Sequence, residues 1–293
     1  MLSQEQIDKY NSEGYLAIEG VLSDEELEDL RRVTDEFIEK SRSLTKTDSF
    51  YDLGPGHSAE TPRLRRISNP INQHPVYDAM LHHKGILDQV EQLIGPGVRQ
   101  NGDKLNFKLP EQGSPVQWHQ DWAFYPHTND DLLAVGIAID DMTLDNGCLM
   151  VIPKSHKGRV YDHQQNGYFI GAVTEPDFTA EGVVPIEIKA GGISIHHVRL
   201  LHGSAANTSK MSRRLLLFQY CAIDAWPLIY TTKTIDEQWE RFGKGILRGE
   251  PTNQPRVTKV PVRLSVPRDI GVGSIYQRQT DLERPLFDAT LKG

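Results

Sequence analysis

Three segments carry residue types that could build a metal site and hold an anion beside it. The first is 116–125 (VQWHQDWAFY), with His119-Gln120-Asp121 at its centre. On an extended backbone residues i and i+2 point to one face, so His119 and Asp121 can reach one ion from a strand end. His-x-Asp alone is a weak signal in a chain with 11 histidines, and a surface pair near a turn is the ordinary alternative. The second segment is 191–207 (GGISIHHVRLLHGSAAN), an apolar run into His196 and His197, then His202-Gly203-Ser204. The third is Arg213-Arg214, heading the run LLLFQY. One imidazole from each of two separated strands plus one carboxylate is the ligand set of a facial triad on non-haem Fe(II). That set leaves positions open for a co-substrate and O2. Arg213 lies eleven residues past His202, and a buried guanidinium there can clamp a carboxylate bidentately.

Composition narrows the rest. With 38% hydrophobic and 25% charged residues, the 293-residue chain has a soluble globular balance. No stretch reaches the ~18 apolar residues of a membrane helix, and the polar opening LSQEQIDKY carries no secretory signal. A net charge of −8 argues against a nucleic-acid partner. Cys148 and Cys221 are the only cysteines, too few for a disulfide framework or a thiolate zinc site, so the expected setting is the cytoplasm. Any metal is left to imidazole and carboxylate.

The elements that would position these residues change along the chain. Residues 1–97 read as an extension. Ser3 starts a helix, 14–22 (GYLAIEGVL) is a strand, Ser23 caps a second helix, and 85–94 forms a short helix that stops at Gly95-Pro96-Gly97. Residues 41–62 read as a loop. From residue 98 short apolar runs recur between turn signals: 105–109, 132–139, 149–152, 183–188, 192–196 and 215–220. Such a series implies a sandwich or jelly roll over 98–225. Residues 226–293 read as a C-terminal extension, with a helix over 235–242, that covers the site or an interface. The fold class expected is mainly β with flanking helices around a double-stranded β-helix (cupin-like jelly-roll) core, one decorated domain over 1–293.

Taken together, His119-Gln120-Asp121, Asn146-Gly147-Cys148-Leu149, Ile152-Pro153, Ser155-His156-Lys157-Gly158, His202-Gly203-Ser204 and Arg213 resemble the phytanoyl-CoA dioxygenase family. The most specific piece is 145–158 (DNGCLMVIPKSHKG), where glycine is more usual at the position of Lys154. The resemblance spans about residues 3–225, including the opening Gly14-Tyr15 and Gly20-Val21-Leu22-Ser23. It implies a non-haem Fe(II)/2-oxoglutarate-dependent dioxygenase that hydroxylates an unactivated C–H and turns 2-oxoglutarate and O2 into succinate and CO2. Ascorbate would be supportive. It implies His119, Asp121 and His202 as iron ligands and Arg213 as the partner of the distal 2-oxoglutarate carboxylate. Asn106 and Lys104, which share a strand face, would also meet the co-substrate. His196 and His197 rival His202. The presence of Asp121 sets the chain apart from related iron halogenases, which lack that carboxylate.

The substrate pocket is expected to include Trp118, Trp122 and Phe124, with Arg65 and Arg66 upstream, although core packing and ordinary loop arginines account for the same residues. His127 reads as rim or surface. The substrate is expected to be a small molecule: a natural-product intermediate, an amino-acid-like compound or an acyl-CoA. Homo-oligomerisation stays open. The alternative is a cupin-like isomerase or dioxygenase without 2-oxoglutarate, which would leave Arg213 without a role. A non-catalytic scaffold has no chemical need for two His, Asp and Arg together.

Overall fold

The computed structural model describes residues 1–110, 114–229, 234–263 and 274–287. Helix α1 (Gln4–Glu13) leads to strand β1 (Tyr15–Ile18) and helix α2 (Asp24–Ser41). Both helices open on a serine capping box: Ser3 with Gln6, and Ser23 with Glu26. The expected strand over 14–22 is shorter than its β-rich composition suggests, because the chain turns at Gly20 with φ +63°. The expected loop over 41–62 contains strand β2 (Tyr51–Leu53), which pairs with β3 (Leu64–Ser68). Helices α3 (Pro75–Leu81) and α4 (Lys84–Ile94) follow. Of these, α3 has only seven residues and shows no periodic stripe long enough to read from sequence.

The remaining strands are β4 (Val98–Lys108), β5 (Val116–His119), β6 (Leu132–Ala138), β7 (Leu149–Val151), β8 (Gln164–Gln165), β9 (Tyr168–Phe169), β10 (Val184–Ile186), β11 (Ile193–His197), β12 (His202–Ser204), β13 (Arg213–Ala222) and β14 (Ile246–Arg248). Helix α5 (Ile235–Lys244) precedes β14, and the short α6 (Ile275–Arg278) lies near the end. The large sheet has the order β1-β11-β6-β13-β4-β3-β2, with β14 also on β4. The small sheet has the order β10-β7-β12-β5. All the pairings are antiparallel. Non-consecutive neighbours in both sheets give the jelly-roll crossovers.

Strand alternation divides the large sheet into two jobs. On β13, Leu216, Phe218 and Tyr220 face the helices and join Phe37, Tyr77, Ile86 and Val90 in the main core. Arg213, Leu215, Leu217 and Gln219 face the other way, into the space between the sheets. On β4, Leu105 and Phe107 belong to the core, whereas Lys104 and Asn106 line that space. Each fully buried Leu, Ile or Phe on the helix side contributes roughly 1.5–3 kcal/mol. The helices thus hold the large sheet as a rigid floor for the polar groups on its inner face.

Candidate metal centre

The small sheet supplies two imidazoles in register. His202 on β12 pairs directly with His119 on β5, and their ring centroids are 4.1 Å apart. The register slips between His202 and Ser204, so Val116, not Gln117, stands opposite Ser204. This bulge lets both Val116 and His119 face the cavity. After β5 the backbone stays extended through Gln120 (φ −120°, ψ 126°) and then enters a 3-10 turn at Asp121. That geometry turns the Asp121 carboxylate back beside His119, with Oδ1 3.9 Å from His119 Nε2. One ligand atom each from His119, Asp121 and His202 lies within 4.8 Å of the others, and all three residues are buried.

The donor set fits a divalent iron ion. His119 Nδ1 lies 2.8 Å from the Gln117 carbonyl, and His202 Nδ1 lies 2.9 Å from the Leu200 carbonyl. Those bonds require the proton on Nδ1 and leave each Nε2 lone pair for a metal, the usual arrangement of ligating histidines. Burial holds the His119 imidazole down to about 4 and His202 well below its ordinary range, so both are neutral at pH 7. Burial pushes the Asp121 carboxyl up, but His196 and the Lys104 ammonium beside it outweigh this and keep it ionised.

Residues that sequence reasoning missed hold this triad. Gln120 points away from the metal side: its amide donates to the Arg199 and Arg159 carbonyls at 2.8 and 3.2 Å and accepts from Tyr161 N–H at 2.9 Å. His163 Nε2 accepts the Gln120 N–H at 2.9 Å, and its Nδ1 bonds to the Tyr161 carbonyl at 2.8 Å. The peptide between His119 and Asp121 is therefore fixed by a residue 43 positions away, beyond the reach of local pattern.

The wall opposite the triad carries Arg213. Its Nε donates to the Gly147 carbonyl at 3.0 Å. Gly147 sits at φ +81°, where a Cβ would meet the Ala205 carbonyl at 2.6 Å and Lys108 Cδ at 2.9 Å. Asn146 fixes the preceding turn by accepting Thr143 N–H at 2.9 Å and donating to the Asp141 carbonyl at 2.7 Å. The Asn-Gly pair thus exists to present one carbonyl to Arg213. Lys108, in register with Arg213, is fully buried and donates to the Ser204 and Ala205 carbonyls. Strand alternation could have identified Lys108, since it shares a face with Lys104 and Asn106.

The expected pocket residues divide. The Phe124 ring meets His119 edge-on with centroids 5.9 Å apart, and packs with Val116, Ile275 and Tyr276. Trp118 and Trp122 do not wall the cavity. Trp118 neighbours His119 on a strand and so points the other way, stacking on Phe287 with centroids 5.4 Å apart. Trp122 packs with Leu132 and Val198 and donates Nε1–H to the Pro261 carbonyl at 2.7 Å. Arg65 pairs with Asp52 at 2.8 Å and lies over the Tyr276 ring. Arg66 is in register with Asn106 and so faces the cavity side of the sheet. His127 is fully buried beside Arg99, not on the rim, because its Nδ1 bonds the Tyr125 carbonyl at 2.8 Å. His197 packs against His156 and Tyr10. His196 lines the cavity, its Nε2 3.5 Å from Asp121 Oδ2.

The C-terminal segment closes over this face. Ile275 lines the cavity. Ser274 bonds Asp52, and Gln279 accepts Gln117 N–H at 2.9 Å and donates to the Gly171 carbonyl at 2.7 Å. Among the described residues no helix is long and apolar enough to cross a membrane.

Comparison with known proteins agrees with this geometry. The family model for phytanoyl-CoA dioxygenase (PhyH) matches residues 10–215. A probable alpha-ketoglutarate-dependent hypophosphite dioxygenase from Stutzerimonas stutzeri is 35% identical over 294 residues, covering 97% of this chain and 99% of the relative. An L-proline trans-4-hydroxylase from Streptomyces griseoviridis is 28% identical, covering 75% of this chain and 86% of the relative. Among solved structures, EctD from S. alaskensis with bound Fe aligns with a TM-score of 0.69 at 22% identity, over 86% of this chain and 88% of that one.

Proposed function

This chain belongs to the phytanoyl-CoA dioxygenase family and is an iron- and 2-oxoglutarate-dependent dioxygenase; on that premise we propose that His119, Asp121 and His202 hold the iron and Arg213 holds 2-oxoglutarate. The observation that supports the ligand set most is the register of His202 on His119, with each Nδ1 tied to a backbone carbonyl. Bound there, iron and 2-oxoglutarate supply an oxidant from O2 that replaces a substrate X–H by X–OH, with succinate and CO2 as co-products.

The chain's own residues bind and orient. Arg213 presents its guanidinium from β13, held through Nε by the Gly147 carbonyl, which leaves its remaining N–H groups for the distal carboxylate. The buried Ser204 hydroxyl lines the same end of the cavity. Asn106, whose Oδ1 has no partner, stands between that end and Lys104. Phe124, Ile275 and Val116 shield the metal side from water. Its substrate is a small molecule, and the relative at 35% identity makes hypophosphite the first compound to test. The buried free thiols Cys148 and Cys221 suit a reducing cytoplasm.

The test is succinate release from 2-oxoglutarate with Fe(II) and ascorbate, for the parent and for His119→Ala and Arg213→Ala. The parent should turn over. His119→Ala should abolish turnover, and Arg213→Ala should raise the KM for 2-oxoglutarate. A His119→Ala enzyme that consumed 2-oxoglutarate at the parent rate would overturn the ligand assignment. An Arg213→Ala enzyme with an unchanged KM would overturn the co-substrate assignment.

A further inference from the structure

The cavity is cationic at both ends, and 2-oxoglutarate accounts for only one of them. At the first end stands Arg213, with the Lys108 ammonium behind it committed to two backbone carbonyls. Lys104 lies four residues along β4, opposite Leu217 instead of Arg213, a separation of about 13 Å along the strand at ~3.3 Å per residue. Leu215 and Leu217 lie between. With Arg213 assigned to the distal carboxylate of 2-oxoglutarate, the other carboxylate would be held at the metal end. Iron at +2, Asp121 at −1, 2-oxoglutarate at −2 and Arg213 at +1 then sum to zero. Lys104 and its neighbour Arg66, on the same side of the sheet, are left over.

The surroundings of Lys104 are those of a cation awaiting an anion. Among the described residues its ammonium has no hydrogen-bond or ion-pair partner in range, and the charged groups acting on it are the ligand Asp121 and the like-charged Arg66. Lys104 is half-buried, and leaving such a charge unpaired in the cavity wall is costly. Further polar groups line the same cavity. His196, Ala134 and Gln219 form one cross-strand row, adjoining the row that holds Lys104. Both ring nitrogens of His196 are buried; Nδ1 has no polar partner, and Nε2 has only the 3.5 Å contact to the ligand Asp121. The Tyr125 phenol lies near Asp121 and Gln219. The tryptophans that could have walled an apolar substrate face elsewhere.

We propose that Lys104, with His196 and Gln219, forms an oxyanion subsite that recognises the substrate, and that the substrate is a compact oxyanion bearing an oxidisable X–H bond. This rests on the iron and 2-oxoglutarate reading above and assigns Lys104 to the substrate instead of to 2-oxoglutarate. The reaction balances as X–H + O2 + 2-oxoglutarate giving X–OH + succinate + CO2. A phosphorus oxyanion and a short carboxylate share the required chemistry.

The test is calorimetric titration of Ni(II)-loaded protein, first with 2-oxoglutarate and then, at saturation, with hypophosphite, phosphite or propionate in separate arms. The parent binds at least one of the three, and which one identifies the source of the oxyanion. Lys104→Met weakens that binding by ~30-fold or more, the loss expected when one partner of a buried charge pair is removed. Its 2-oxoglutarate affinity stays within about threefold, and Lys104→Arg recovers part of the anion binding. The proposal is overturned if the parent takes up 2-oxoglutarate but none of the anions. It is equally overturned if Lys104→Met loses 2-oxoglutarate affinity while keeping the anion. A parent that binds neither Ni(II) nor 2-oxoglutarate overturns the underlying reading instead.

Discussion

Gln117 and Phe287 exchange two hydrogen bonds, Gln117 Nε2–H to the Phe287 carbonyl and Phe287 N–H to Gln117 Oε1, both 2.8 Å. The Gln117 carbonyl meanwhile accepts the Nδ1–H of His119. One residue therefore ties the C-terminal segment to the strand that carries a proposed metal ligand. Gln117→Ala removes the side-chain bonds and leaves the carbonyl. At ~1 kcal/mol net per bond, residues 274–287 should detach more readily, with a KM for 2-oxoglutarate up roughly tenfold. Limited proteolysis with and without 2-oxoglutarate checks this. Unchanged cleavage near the C-terminus would mean that the segment is held by other contacts.

The metal-free protein should lose stability in mild acid. His163, His127 and His197 are neutral and buried, with burial holding them down to about 4, 3 and 3. In the unfolded chain each titrates near ~6.5. Below that pH the unfolded state binds more protons, so their contribution is complete above ~6.5 and shrinks as pH falls toward 4. By pH 5 each forfeits about 2 kcal/mol. Asp103, raised by burial to about 6, works in the opposite direction but is one group against three. Urea midpoints at pH 7.5 and pH 5 measure the difference. A midpoint that held or rose at pH 5 would show that these imidazoles are not buried neutral.

Lys154 adopts a left-handed backbone (φ 68°) at the position where the family more often has glycine. A side chain in that region costs ~1–2 kcal/mol, and the 3.6 Å Lys154–Glu13 contact is exposed and worth little. Lys154→Gly should therefore stabilise the protein by up to ~1 kcal/mol, after the extra flexibility of glycine in the unfolded chain is counted. Thermal melts of the two proteins decide it. A lower Tm in the glycine variant would show that the Lys154 side chain contributes more than its exposure suggests.

How much of this was legible in the sequence follows from how local each signal is. His119 and Asp121 were readable because two-residue alternation survives in the extended backbone at Gln120. Asn146-Gly147 was readable as a motif, though its purpose emerged only when its carbonyl met Arg213. His202 is preferred over His196 and His197 because the Gly-Ser after it and its spacing to Arg213 match the family. The local pattern alone could not rank the three, because the choice depends on the register of β12 against β5, two segments some 80 residues apart. Trp118 and Trp122 misled because closeness in sequence to His119 is not a shared face. Lys108 could have been found by strand alternation, whereas His163 and Gln117 were invisible as site residues, since their partners lie on distant segments.

Iron is expected on His119, Asp121 and His202, with His196 beside the site and not in it. Anaerobic calorimetric titration with Fe(II) of the parent, His202→Ala and His196→Ala tests it most directly. The parent should take up one ion. His202→Ala should lose more than the ~10–100-fold that follows removal of a residue supporting a ligand, whereas His196→Ala should stay within that range. Full iron affinity in His202→Ala, with its loss in His196→Ala, would contradict the account.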